Sequence, residues 1–132
     1  MGSRFVRPET VTLPISDGDT IMIRRRLTNG ERRAMFARMY KAGVTPLQVD
    51  TLATGLAVVV AYLLDWTLTD DDGARVPIRG LTGDELAVVV DGLDWDSFVE
   101  IKTAIETHVA AVDADLDLEK KILIGATGSS AI

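Results

Sequence analysis

The sequence predicts a mainly helical α+β fold, with about four helices, a small N-terminal β-hairpin and a short second hairpin. Three observations carry this. Capping boxes at Thr28-Asn29-Gly30-Glu31 and Thr82-Gly83-Asp84-Glu85 mark two helix starts; in each, the threonine hydroxyl accepts from the glutamate N–H and the carboxylate returns to the threonine N–H. Phe98, Ile101, Ile105, Val109 and Val112 recur at spacings of three and four, the period of one helix face. Asp17-Gly18 lies between two alternating apolar segments, the pattern of a hairpin around a tight turn. At 132 residues and 47% hydrophobic content, the chain is one domain able to bury a core without disulfides or metals.

The hairpin is predicted over residues 9–26, with strands 9–15 and 20–26. Alternation puts Val11, Leu13 and Ile15 on one face of the first strand and Ile21 and Ile23 on one face of the second. Pro14 has no N–H for a ladder and pushes its strand toward a sheet edge, where it either ends the sheet or accepts another chain. The first capping box starts a helix over residues 31–42. Met35, Phe36, Met39 and Tyr40 form its core stripe, and Gly43 ends it.

A second helix is predicted over residues 46–64, with Pro46 in its first turn. From Thr51 to Leu64 the chain carries no charge for 14 residues, short of the ~20 needed to span a bilayer. This reads as a buried central helix whose small residues Ala53, Gly55, Ala57 and Ala61 allow close approach of another helix. Asp65–Thr69 then reads as a strand, Asp70–Gly73 as a turn and Ala74–Ile78 as its return. The second capping box opens a helix over residues 83–91 carrying Leu86, Val88, Val89 and Val90 and closing at Gly92; Asp94 caps a fourth over residues 95–112. Periodicity fades after Asp117. Residues 1–117 are expected to form a single compact domain and 118–132 a flexible C-terminal tail.

Chemistry finds little to use. The chain has no cysteine and one histidine, His108, expected as a surface or hydrogen-bonded residue of the fourth helix. Asp70-Asp71-Asp72-Gly73 is accounted for by turn geometry, because consecutive side chains point in different directions. Asp113, Asp115 and Asp117 begin like a calcium loop, but Leu118 stands where the sharp turn needs glycine and Ile124 where a bidentate carboxylate belongs. Neither a phosphate-binding glycine loop nor a nucleophile elbow is present. The expectation is no enzyme, no catalytic residue, no metal and no cofactor. Residues 1–5 lead into polar sequence without an apolar h-region, so no signal peptide is expected.

The net charge of −6 conceals an asymmetry: residues 1–45 hold nine Lys/Arg against four Asp/Glu, and residues 46–132 hold five against sixteen. The basic cluster is Arg24, Arg25, Arg26, Arg32 and Arg33, with Arg38 and Lys41 beyond. It either pairs with the acidic half of the same fold or docks an acidic surface of a partner. Nucleic acid is not expected, since no aromatic residues interleave with the basic run and the whole chain is acidic. A membrane partner is not expected either.

Three phrases in order, ISDGDTIMIRRRLTNGERRAMF, YLLDWTLTDDDGARVPI and LTGDELAVVVDGLDWDSFVEIKTAIETHV, resemble the tail assembly chaperones of long-tailed, siphovirus-type bacteriophages. The resemblance covers roughly residues 9–112 as a pattern of elements and contains no active-site motif. It implies a non-enzymatic, cofactor-free homo-oligomer in the host cytoplasm that binds the tape measure protein and recruits tail tube subunits during tail morphogenesis. On the residues' own chemistry, the arginines 24, 25, 26, 32 and 33 are the candidate docking charges, and Val58, Val59 and Tyr62 the candidate apolar contacts with a client. The other reading is a structural virion protein of the head–tail connector or tail-completion type, joined to its neighbours through the sheet edge and the charge asymmetry.

Overall fold

The computed structural model describes residues 4–40 and 51–131, with side chains described outside 51–52 and 123–131. Strands β1 (Thr10–Pro14) and β2 (Thr20–Arg24) form the N-terminal hairpin, followed by helix α1 (Asn29–Met39). Helix α2 (Thr51–Tyr62) runs directly into strand β3 (Leu63–Trp66), and helices α3 (Gly83–Asp91) and α4 (Trp95–Ala131) complete the fold. The three strands make one antiparallel sheet in the order β1-β2-β3. The fold is α+β and mainly helical, as the sequence predicts.

The hairpin follows its turn chemistry. Asp17 and Gly18 both have positive φ, 60° and 77°, the pair of left-handed residues that matches the twist of the flanking strands. The Asp19 N–H donates to Ser16 O at 3.2 Å. Val11 faces Ile23 and Leu13 faces Ile21, so one face of the hairpin is apolar and turned inward. Pro14 lies on the edge strand β1, where the missing N–H costs no ladder bond. The turn is tied to α4 by Glu100, whose carboxylate accepts from the Ser16 N–H at 3.0 Å and the Ser16 hydroxyl at 2.9 Å.

Both capping boxes form. The Glu31 N–H donates to Thr28 Oγ1 at 3.1 Å and the Thr28 N–H to Glu31 Oε1 at 2.8 Å. The same pair at Thr82 and Glu85 measures 3.2 and 3.0 Å. Asp94 caps α4, accepting from the Ser97 N–H and hydroxyl, both at 2.8 Å.

Four details differ from the sequence reading. Leu63 and Leu64 belong to β3 and not to the end of α2. Leu63 pairs with Ile23 and Asp65 with Met22, leaving Leu64 as the extra residue of a bulge. Without it, strict alternation would send Leu63 and Trp66 to opposite faces; with it, both are buried. An all-apolar run has no periodicity to announce such a switch. Helix α1 stops at Met39, with extended Tyr40 as its cap, and Phe36 and Tyr40 are 43% and 41% exposed, leaving Met35 as the one buried residue of α1. Gly43, Lys41 and the expected helix start at Thr45-Pro46 lie outside the described residues.

The third difference is α4, which is 37 residues long and about 55 Å in length at 1.5 Å per residue. It continues past Val112 through the segment expected as a tail, up to Ala131. Residues 113–124 contain neither glycine nor proline and include the good helix formers Leu (three), Lys (two), Ala and Glu (one each). Fading periodicity removes a packing face, not helix propensity. Leu118 and Ile122 are accordingly exposed. The fourth is the second hairpin, reduced to one bridge between Thr69 and Arg75 around a turn in which Asp70 Oδ1 accepts from the N–H groups of Asp72 and Ala74 at 2.9 and 3.0 Å.

The core is a single cluster in which Ile21 and Ile23 of β2, Val59 of α2, Val90 of α3 and Ile101 and Ile105 of α4 are the most deeply buried side chains. Gly55 lets α4 approach α2. A Cβ there would lie 2.8 Å from Lys102 Cε and 2.9 Å from Cδ, so the lysine stem covers the bare helix backbone while its ammonium reaches Glu106 at 2.9 Å. Trp66 closes the lower side, its indole N–H donating to Val76 O at 2.8 Å.

The caps set an acid limit to stability. Backbone donation from Thr82 holds the Glu85 carboxyl below its ordinary range, and donation from the Ser97 N–H and hydroxyl does the same for Asp94. Because folding lowers both values, each contributes stability that is complete above the ordinary carboxylate range and is lost as pH falls through the lowered folded values. The double variant Glu85→Gln, Asp94→Asn is therefore expected to lose less melting temperature than the parent between neutral pH and about pH 3. Thermal melts across that range check it; parallel curves would show that the caps do not couple to pH.

Candidate functional site

The arginine cluster divides on inspection of its partners. Arg24 is internal: its Nε lies 2.7 Å from Glu31 Oε2 and its Nη1 donates to Ala61 O at 2.8 Å, joining β2 to α1 and α2. Arg25 stands 3.9 Å from Glu9, and its carbonyl accepts from His108 Nε2 at 3.1 Å. His108 thus serves as a hydrogen-bonded strut between α4 and the end of β2. Arg38 reaches Asp84 at 2.7 Å. Arg26, Arg32 and Arg33 are exposed and have no ion pair among the described residues. Among the described members, the expected pairing with the acidic half is met by Arg38 alone, since Glu9 and Glu31 belong to the basic half, and the docking expectation rests on Arg26, Arg32 and Arg33.

The apolar candidates fare differently. Val58 is half-buried, but Val59 is fully buried and Tyr62 only 5% exposed. Both belong to the core and are withdrawn as client contacts; on a helix enclosed nearly all round, sequence has no sign of which side is left open. Tyr62 also lines a cavity of about 50 Å³ shared with Arg25, Arg26, Arg32 and Asp113. Burial raises the Tyr62 pKa above its ordinary value, opposed by the Arg32 charge.

Two larger depressions mix apolar and polar lining. One, of about 430 Å³, lies between α1, α2 and the start of α3, with Met35, Val60, Leu64, Leu81 and Leu86 in its lining and the Arg24–Glu31 and Arg38–Asp84 pairs at its margins. Gly83 allows the second pair to form, since a Cβ there would stand 2.6 Å from Arg38 Nη2. The other, of about 290 Å³, opens at the α3–α4 corner and is lined by Leu56, Val90, Asp91, Leu93, Trp95 and Phe98. Trp95 is 75% exposed and stacks obliquely on Phe98, ring centroids 6.1 Å apart.

Sequence reading missed Trp95, although a signal existed. Trp95 is the first residue of α4, immediately after its cap Asp94, where no earlier turn covers it. Val88, grouped with the core valines, is 73% exposed; it lies two residues from Leu86 and from Val90, which places it on the opposite side of the helix from both.

Among the described residues, no group of three or more His, Cys, Asp or Glu side chains is arranged to hold a metal ion. Asp70 is occupied by its own turn, and Asp113, Asp115 and Asp117 are exposed along α4. No helix among the described residues is long and apolar enough to cross a membrane. No protein-family model, curated protein or solved structure matches this chain.

The division of the cluster sharpens its test. Changing Arg26, Arg32 and Arg33 together to glutamate is expected to weaken self-association or partner docking and to flatten its salt dependence. Arg24 is left intact because its reversal would also break the Glu31 pair. Analytical ultracentrifugation at low and high salt reads the effect, and unchanged assembly at both would make these arginines a solvated face.

Proposed function

We propose that the chain is a tail assembly chaperone of a long-tailed bacteriophage. It acts in the host cytoplasm as a homo-oligomer, holds the tape measure protein and recruits tail tube subunits to it, without catalysing a reaction. The observation that supports this reading best is the Trp95 cleft. A large aromatic side chain left exposed beside half-buried Leu56, Leu93 and Phe98 is the kind of surface that binds an apolar stretch of another chain. The net charge of −6 supports the second requirement of a holding protein, since like charge keeps loaded complexes apart.

This reading moves the client contact from Val59 and Tyr62 to Trp95. Co-expressed with the tape measure protein of its own genome, the parent chain is expected to keep that protein in the soluble fraction. Trp95→Asp is expected to abolish most of this while leaving the chaperone folded, because the residue is exposed and an acidic side chain in the first helical turn agrees with the helix dipole. Equal solubility of the client with parent and variant would remove the cleft from the reading. Mass spectrometry of purified particles separates the classes: absence from virions agrees with a transient chaperone, whereas stoichiometric copies would favour a connector or tail-completion subunit.

A further inference from the structure

The cavity at Tyr62 is unlike the rest of the surface. It lies where the end of β2 and the first turns of α1 face α4, and its lining carries three arginines, Arg25, Arg26 and Arg32, against one acid, Asp113. That leaves a charge of +2 around about 50 Å³, on a chain whose net charge is −6. Arg26 and Arg32 make no ion pair among the described residues, and Arg32 and Asp113 do not come within 4.0 Å of each other. Tyr62 is only 5% exposed and belongs to the core cluster, yet it also lines this cavity. One wall is fixed in place, because His108 of α4 holds the Arg25 carbonyl at 3.1 Å.

We infer that this cavity is a socket for one small oxyanion, bound by the Arg26 and Arg32 guanidinium groups and the Tyr62 hydroxyl. The volume suits a carboxylate or a phosphate and not a larger ligand. Planar guanidinium groups donate in pairs to such oxygens, and a phenol hydroxyl supplies a further neutral donor. Asp113 opposes the anion and sets the socket's affinity. The same chemistry has two sources, inorganic phosphate in solution or a carboxylate on an acidic segment of another chain. The socket stands apart from the chaperone reading, since it rests on neither Trp95 nor a client.

The test follows the arginine side-chain N–H resonances by NMR during titration with inorganic phosphate, and separately with an acetylated hexaglutamate peptide, at constant ionic strength. Saturable shifts at Arg26 and Arg32 are expected with at least one of the two, while Arg79, which pairs with Asp65 at 3.2 Å, stays still. Saturation by phosphate alone assigns a free anion; tighter saturation by the peptide assigns a carboxylate from a partner. Asp113→Asn is expected to tighten binding about three- to tenfold, the effect of one unit charge a few ångströms away screened as in water. Tyr62→Phe keeps the buried ring and is expected to weaken binding, and Arg32→Gln to abolish it. Non-saturating drift of all arginines alike with both probes would overturn the socket. So would an unchanged titration in Asp113→Asn, which would mean that Asp113 does not face a bound anion.

Discussion

Between Ala53 and Leu64 the chain carries no charged side chain, and the rest of the molecule is arranged to enclose this stretch. A helix apolar on every side is stable in water only when other elements cover it, since burial of apolar area and not intrinsic propensity supplies most of its stability. The cover comes from α1, α3 and α4, and from β2 through strand β3. Gly55 brings α4 close, and the direct passage from Tyr62 into Leu63 makes the sheet a continuation of the helix. The bulge at Leu64 then turns both Leu63 and Trp66 inward. No polar or charged residue is fully buried among the described residues, so the core is held mainly by apolar packing, with the Trp66 indole N–H as a polar anchor.

That arrangement decides what remains outside. Cover ends at the α3–α4 corner, where the chain reverses at Gly92 and restarts at the Asp94 cap, and Trp95 is the first residue beyond it. Charge is sorted by the same geometry. Arg24 and Arg38 become struts between elements, while Arg26, Arg32 and Arg33 stay exposed, the first two beside α4 around Asp113. The cleft beside Trp95 and the basic residues Arg26 and Arg32 therefore sit on different parts of one acidic molecule.

Local chemistry was the legible part of the sequence. The boxes at Thr28 and Thr82, the Asp94 cap, the Asp17-Gly18 turn and the edge position of Pro14 each depend on a few neighbouring residues, and each forms as its residues dictate. What depends on distant cover was not legible. Leu63 and Leu64 are as compatible with helix as with strand until β2 supplies a partner. Phe36 and Tyr40 carry core chemistry, but the elements beside α1 bury only Met35 fully. The candidate site shows the same limit: Val59 and Tyr62 stand out in the sequence for apolarity, the property that also buries them, whereas Trp95 is marked by its position at a helix start.

If enclosure of α2 governs the fold, α2 and the elements bonded to it should open only when the whole molecule unfolds. Native-state hydrogen exchange measures this amide by amide. The account predicts that the amides of Val58 to Tyr62, with Ile21 and Ile23 of β2 and Ile101 and Ile105 of α4, exchange slowest and share one opening free energy equal to that of global unfolding. Those of α1 and α3 should open at lower cost. Exchange of the α2 amides through local opening, as fast as in α1 while β2 remains protected, would contradict it.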